Sequence, residues 1–221
     1  LSAEDQAEMI ASVKAAGGLV SMRALPDGGE SPYELNCTYF AALSRTFDGP
    51  DDHHIERFLC SQTIVMSLEG IPAFYIHSLL ATPNDDDAVE RRGMNRAINR
   101  HRWDYEELRT QLDSAESVHA IVLGRISDRL RIRKMQAAFH PNATQFTVRT
   151  GDDRVFGLWR QSLDRRQSVF ALHNVSADKV AIPITNLNLI EDEHWRDLLS
   201  GEAISHDEIP FAPYQCRWIS N

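Results

Sequence analysis

Arg96 lies in the run Gly93-Met94-Asn95-Arg96, just past an apolar stretch and a long polar loop. Its guanidinium offers a planar fork of donors that can hold two neighbouring hydroxyls of a sugar. It keeps its charge, so it anchors a ligand and does not act as a base. The other role open to it is a structural ion pair with one of Asp85, Asp86 or Asp87. Tyr33 and Glu34 follow a Gly/Pro-rich segment. Together they would supply a stacking face and an acceptor, or else they serve a loop that caps a nearby helix. Asp85-Asp86-Asp87 raises a metal site, but adjacent carboxylates point in different directions and the calcium-loop spacing is absent. A solvated helix start is the expectation. His53-His54 beside Asp51-Asp52 is read in the same way, as capping and packing. His77 sits inside the apolar stretch and either faces a pocket or is a satisfied core histidine.

Several chemistries leave no trace in the sequence. There is no supported Ser-His-Asp arrangement, no glycine-rich phosphate loop and no carboxylate pair poised for glycoside hydrolysis. Cys37, Cys60 and Cys216 are far apart and form no CxxC pair, so no zinc site and no cofactor is expected. An odd number of dispersed cysteines favours reduced thiols and a cytoplasmic setting. The triplets starting at Asn36, Asn142 and Asn174 match glycosylation sequons, but nothing else points to secretion. A formal net charge of -9 argues against nucleic acid as a partner. No run approaches the roughly 18 apolar residues that span a bilayer. The 221 residues, 43% hydrophobic and 25% charged, have room for one or two domains with a sizeable core.

The elements that would carry these residues alternate. Ser2 caps a helix over residues 3–16, with Asp5 at its third position and Met9, Ile10 and Val13 on one face. Gly17-Gly18 stops it. PDGGESP, residues 26–32, is turn chemistry, and Tyr33 to Leu43 reads as a loop entering a short helix. Asp51 or Asp52 starts a helix to about Leu68, with Ile55, Phe58, Leu59, Gln62, Val65 and Met66 inward. Ala73 to Leu80, AFYIHSLL, reads as a strand buried on both faces, as in a parallel sheet. Helices are expected at Tyr105 to Leu112 and Ser117 to Met135. Beyond His140-Pro141-Asn142 the period changes to two. Strands are expected at Gln145 to Arg149, Val155 to Trp159, Ser168 to Asn174, Lys179 to Ile184 and Tyr214 to Ile219.

Four segments, in order, carry a family resemblance: SPYELNCTYFAAL (31–43), GIPAFYIHSLLATPND (70–85), GMNRAINR (93–100) and QAAFHPNATQ (136–145). They resemble the sucrose phosphorylase branch of glycoside hydrolase family 13, the α-amylase family, most firmly between Ser31 and His140. The resemblance implies an α/β fold, the C-terminal part of a (β/α)8 TIM barrel over 1–140, followed by a small antiparallel β domain over 141–221. Ile71 to Leu80 would be strand eight. The family's aspartate nucleophile, glutamate acid/base and second aspartate would all precede Leu1, so no catalytic residue is expected here.

What the resemblance carries over is sugar-holding loops. Arg96 matches an arginine that binds the glucosyl unit, and Tyr33 and Glu34 match a mobile loop on the acceptor and phosphate side. Many sucrose phosphorylases have Gln where Glu34 stands and Asp where Ser31 stands. The Tyr-Glu-Leu-Asn form is more similar to relatives that phosphorylyse glucosylglycerate or glucosylglycerol. The implied function is the C-terminal portion of a retaining α-glucoside phosphorylase, with a small α-glucoside and phosphate as partners and no membrane. This chain alone is expected to be inactive. The alternatives are a hydrolase or transglycosylase of the same family, or a non-catalytic sugar- or protein-binding fragment. A missing barrel half or self-association would cover its apolar edges.

Overall fold

The computed structural model describes residues 1–187, 194–204 and 207–221. In chain order the elements are α1 (Ala3–Ala15), β1 (Leu19–Ala24), β2 (Glu30–Asn36), α2 (Tyr39–Ala42), β3 (Arg45–Thr46), β4 (Gly49–Pro50), α3 (His54–Ser67), α4 (Ile76–Leu79), α5 (Asp86–Arg92), α6 (Tyr105–Asp113) and α7 (Val118–Lys134). Then come β5 (Thr144–Val148), β6 (Val155–Gln161), β7 (Ser168–Asn174), β8 (Val180–Pro183), β9 (Arg196–Asp197), β10 (Glu208–Phe211) and β11 (Cys216–Ser220). A 3-10 segment, Asn95–Asn99, follows α5. No described helix is long and apolar enough to cross a membrane. Two compact units form: Leu1–His54 with Phe74–Leu123, and Ile55–Ala73 with Gly124–Asn221.

In the first unit, α1 begins with the expected reciprocal cap. Ser2 Oγ accepts from Asp5 N, and the Asp5 carboxylate accepts from Ser2 N. Gly17, at φ +78°, ends the helix in the left-handed region, where a side chain is strained. The next segment corrects the expectation of a loop over Tyr33 to Asn36. β1 and β2 pair as an antiparallel hairpin, Leu19 opposite Asn36 and Ala24 opposite Glu30, with a register shift between Ser21 and Met22. The PDGGESP turn chemistry closes that hairpin. The short helix expected after it is α2, capped by Thr38 Oγ1 accepting from Ala41 N.

A second correction concerns Ala73 to Leu80. These residues form no strand; Ile76–Leu79 is a helical turn, and Ile71, Tyr75 and Ile76 are exposed. Every strand pair among the described residues is antiparallel. A parallel strand buried on both faces needs flanking strands to take its backbone donors and acceptors. With no such neighbour among the described residues, the apolar stretch coils into the local hydrogen bonds of one helical turn. His77 is buried there, its Nδ1 3.1 Å from Thr82 Oγ1. That is the satisfied core histidine.

The second unit is built on a five-stranded sheet, ordered β5-β6-β7-β11-β9, and a β8–β10 ribbon. The five strands expected after His140 appear within a few residues of their expected limits; β9 and β10 escape notice in the sequence. The sheet and the ribbon enclose Val155, Phe170, Leu172, Val180, Ile182, Leu187, Ile209, Phe211 and Ile219. Strand alternation sends Cys216, Trp218 and Ser220 to the opposite face from Arg217 and Ile219. There α3 lies, its Phe58, Leu59, Gln62 and Met66 buried as expected, together with Cys60, Thr63 and Ser67. Trp218 Nε1 donates to Ser67 Oγ at 2.9 Å. Phe139 meets the Trp218 ring edge-on at 4.8 Å. Of the three sequon asparagines, Asn36 and Asn174 are buried and closed to a glycan in this fold, and Asn142 is exposed.

Candidate functional site

The polar loop after His77 turns on Asp85. Its carboxylate accepts from Ala88 N at 2.8 Å, capping α5, and lies 2.7 Å from His101 Nδ1. Asp85 therefore fixes the start of α5, and Gly93 fixes its end. Gly93 takes φ +62° and donates N–H to Val89 O at 2.8 Å, which redirects the chain into the 3-10 segment bearing Arg96. Asp85, Asp86 and Asp87 act as the expected helix start. Asp85 is spent on the cap and His101.

The 3-10 segment is tied to the hairpin. Asn95 Nδ2 donates to Ser21 Oγ at 3.3 Å and to Val20 O at 3.5 Å. Asn36 Nδ2 donates to the same Ser21 Oγ at 2.8 Å. Ser31 Oγ accepts from Arg23 Nε across the hairpin at 3.1 Å. These bonds bring together the three residues singled out in the sequence. Arg96 Nε donates to Glu34 Oε2 at 2.7 Å, with Arg96 48% and Glu34 35% exposed at the side chain. Glu34, and after it Tyr33, favour the charged form of Arg96 and raise its pKa. Tyr33 itself is largely exposed. The ion pair open to Arg96 is thus made, but with Glu34 and not with Asp85 to Asp87.

This arrangement presents a half-exposed guanidinium, a carboxylate whose charge is offset by it, and an exposed phenol. A planar donor edge beside an aromatic face suits a polyhydroxyl ligand. The pairing also resolves the repulsion that a bare carboxylate would exert on an anion nearby.

A second cluster was not legible in the sequence. His101 meets Trp103 edge-on at 4.7 Å, Trp103 meets His119 edge-on at 5.0 Å, and Trp103 Nε1 donates to Thr82 Oγ1 at 3.1 Å. His119 Nδ1 lies 2.6 Å from Leu80 O. His101, Trp103 and His119 border a cavity of about 420 Å³ with Asp85, Asp86, Asp87 and Glu107. Their partners lie up to 39 residues away, so no local spacing announces them.

Burial alone would raise the Asp85 pKa, but His101 and the Ala88 N–H outweigh it, and the pKa is lowered. The stabilisation from such a group is present above its unfolded pKa and is lost as pH falls through the lowered folded value. Asp85→Ala is therefore expected to cost about 1 kcal/mol near neutral pH, the usual worth of an N-cap. The gap to wild type closes in acid. Asp85→Asn, which keeps the cap acceptor, falls between. Urea unfolding at neutral and acid pH measures this.

No family model matches the chain. The glucosylglycerate phosphorylase of Escherichia coli (strain K12) is 35% identical over 96% of this chain and 36% of its own length. The enzyme of the same name from Spirochaeta thermophila is 36% identical over 96% of the chain and 37% of its own length. Among solved structures, the sucrose 6F-phosphate phosphorylase from Thermoanaerobacter thermosaccharolyticum superposes with a TM-score of 0.64 at 21% identity, over 96% of this chain and 37% of that one. The likeness to that structure concerns the fold. The chain spans little more than a third of the length of the curated relatives it matches. The chain is homologous to the C-terminal part of the glucosylglycerate and sucrose phosphorylases.

Proposed function

We propose that this chain serves as the C-terminal portion of a retaining phosphorylase that moves an α-glucosyl unit from a small glucoside to phosphate. The observation that carries this reading is the match to two glucosylglycerate phosphorylases over 96% of the chain. The Tyr33-Glu34-Leu35-Asn36 form and the Glu34–Arg96 pair support it, with glucosylglycerate ahead of glucosylglycerol and sucrose as substrate. Arg96 orients the glucosyl ring through its donor edge. Tyr33 and Glu34 shape the acceptor side, and Arg96 keeps the Glu34 charge from repelling incoming phosphate. Residues 1–140 belong to the late barrel and 141–221 to a β domain, although α3 and most of α7 cluster with the sheet. The odd number of dispersed thiols supports a cytoplasmic setting.

The apolar side of the first unit fits a missing partner surface. No residue of α1 is buried, and Met9 and Phe47 are exposed beside Val13, Leu35 and Tyr39 in a groove of about 730 Å³. Barrel segments beyond this chain would cover it. Light scattering of the 221-residue chain tests the rival, that a second copy does so.

The full-length protein is incubated with glucosylglycerate, glucosylglycerol and sucrose, with and without phosphate. Phosphate-dependent release of glucose 1-phosphate, fastest from glucosylglycerate, is expected. Release of free glucose at a phosphate-independent rate favours the hydrolase reading and overturns this one. The 221-residue chain alone is expected to release no glucose 1-phosphate from any of the three.

A further inference from the structure

Three potential metal ligands converge in the second unit. Cys216 opens β11 and stands directly opposite His173 of β7 in the antiparallel register, so the two side chains share a face. α3 covers that face and delivers Cys60. The Cys60 Sγ, Cys216 Sγ and a His173 ring nitrogen all lie within 4.8 Å of one another, and all three residues are buried. His173 is 0% exposed, and both its ring nitrogens lack a hydrogen-bond partner. Arg129 Nη1, also buried, lacks one too.

Buried polar atoms left without a partner are costly. A fully buried imidazole with two of them, facing two sulfurs, calls for an electrophile at the centre. We propose that Cys60, Cys216 and His173 form a buried site for one thiophilic d10 cation, Cu+ or Zn2+, bound by two sulfurs and one imidazole nitrogen. Two thiolates and an imidazole are the donor set such cations prefer. Ligand sulfurs around a tetrahedral ion stand about 3.7 Å apart, so the cluster needs only a small contraction. The wide sequence spacing that argued against zinc carries no weight once β7, β11 and α3 meet.

The surroundings fit. Cys216 borders a cavity of about 270 Å³ that also touches Arg129 and Tyr214, which gives an entry path and a place for a fourth ligand. Burial would raise the Cys216 thiol, but Cys60, His173 and Arg129 together hold it below its ordinary range, while Cys60 is pushed up. Binding of the cation releases the thiol protons of the two cysteines to solvent. Two thiolates, the Arg129 guanidinium and a monovalent cation sum to zero charge. A divalent cation leaves one positive charge, which hydroxide or chloride in the cavity would cancel. A Cys60–Cys216 disulfide, by contrast, leaves the His173 nitrogens and Arg129 Nη1 as they are.

The protein is purified in reductant, stripped with a chelator and titrated anaerobically with Co2+, Zn2+ and Cu+. One equivalent of Co2+ is expected, with thiolate-to-cobalt charge-transfer absorption that Zn2+ abolishes by displacement. Cys60→Ser, Cys216→Ser and His173→Gln are each expected to weaken binding at least about tenfold, and Cys37→Ser to leave it unchanged. Tighter Cu+ binding assigns the neutral, three-ligand form, and tighter Zn2+ binding the form with a fourth ligand. Where a variant fails to fold, the wild type answers: bound metal is expected to slow alkylation of Cys60 and Cys216 but not of Cys37. Absence of binding to the folded, reduced protein overturns the proposal. So does binding that the cluster variants do not weaken, or a Cys60–Cys216 disulfide in the protein before reduction.

Discussion

Arg96→Ala in the full-length protein is expected to lower kcat/KM for phosphorolysis about 100-fold, which is about 2.7 kcal/mol of lost transition-state binding. The same change is expected to leave stability nearly intact. Its partner Glu34 and its own guanidinium are partly exposed, and such surface pairs contribute about 0–1 kcal/mol. That contrast separates the two roles open to Arg96. A structural ion pair predicts a small stability loss and unchanged kinetics. A sugar anchor predicts the reverse. Arg96→Lys is expected to recover little, because an ammonium keeps the charge and loses the planar fork. Glu34→Gln leaves the anchor but removes the carboxylate that Arg96 offsets, so its effect is expected in the phosphate KM and in the preference between glucosylglycerate and sucrose. Steady-state kinetics beside thermal unfolding decides it, and an Arg96→Ala enzyme with wild-type kcat/KM would sink the assignment.

What could be read from the sequence follows from how local each determinant is. The Ser2–Asp5 cap, the Gly17 stop, the long inward face of α3 and the alternating strands after His140 are set within a few residues of themselves, and the structure has them. Ala73 to Leu80 reads as a strand but forms a helical turn, because an apolar run says only that burial is wanted. Whether it becomes a strand depends on neighbours that pair with it. The β1–β2 hairpin does not show in the pattern, because Pro32 interrupts its second strand and the turn residues dominate. The Glu34–Arg96 bond spans 62 residues, and no spacing rule reaches that far. Both residues could be singled out by type and by family resemblance; that they meet is information only the fold supplies. The Cys60, His173 and Cys216 cluster is the extreme case, since strand order β7-β11 and the seat of α3 must be known before the three can be placed together.

Arg160→Ala is expected to be the most destabilising single change in the second unit, by about 3–5 kcal/mol. Arg160 is fully buried on β6. Its Nη1 donates to Ser67 O at 3.0 Å, and its Nη2 to His140 O at 3.0 Å and Ala143 O at 3.4 Å. Ser67 O lies at the C-terminal end of α3, where carbonyls have no partner within the helix. The other two belong to the turn between α7 and β5. One planar group therefore ties a helix end, a turn and the sheet, and its face lies 5.9 Å from the Phe139 ring centre. Burying the guanidinium is itself costly, which is why burial lowers its pKa. The balance turns on what is left behind. Truncation strands the buried Ser67 and Ala143 carbonyls, leaves His140 O only its bond from Ala143 N, and opens a hole beside Phe139. Against a total stability of about 5–15 kcal/mol, that is a large share. Arg160→Met separates packing from hydrogen bonding, because it refills the volume and offers no donor. It is expected to lose nearly as much as Arg160→Ala, and Arg160→Lys less than either, since an ammonium still reaches one or two of the carbonyls. Urea unfolding of the protein measures all three. A methionine variant as stable as wild type would mean that desolvation of the guanidinium cancels its bonds and that packing alone holds this corner.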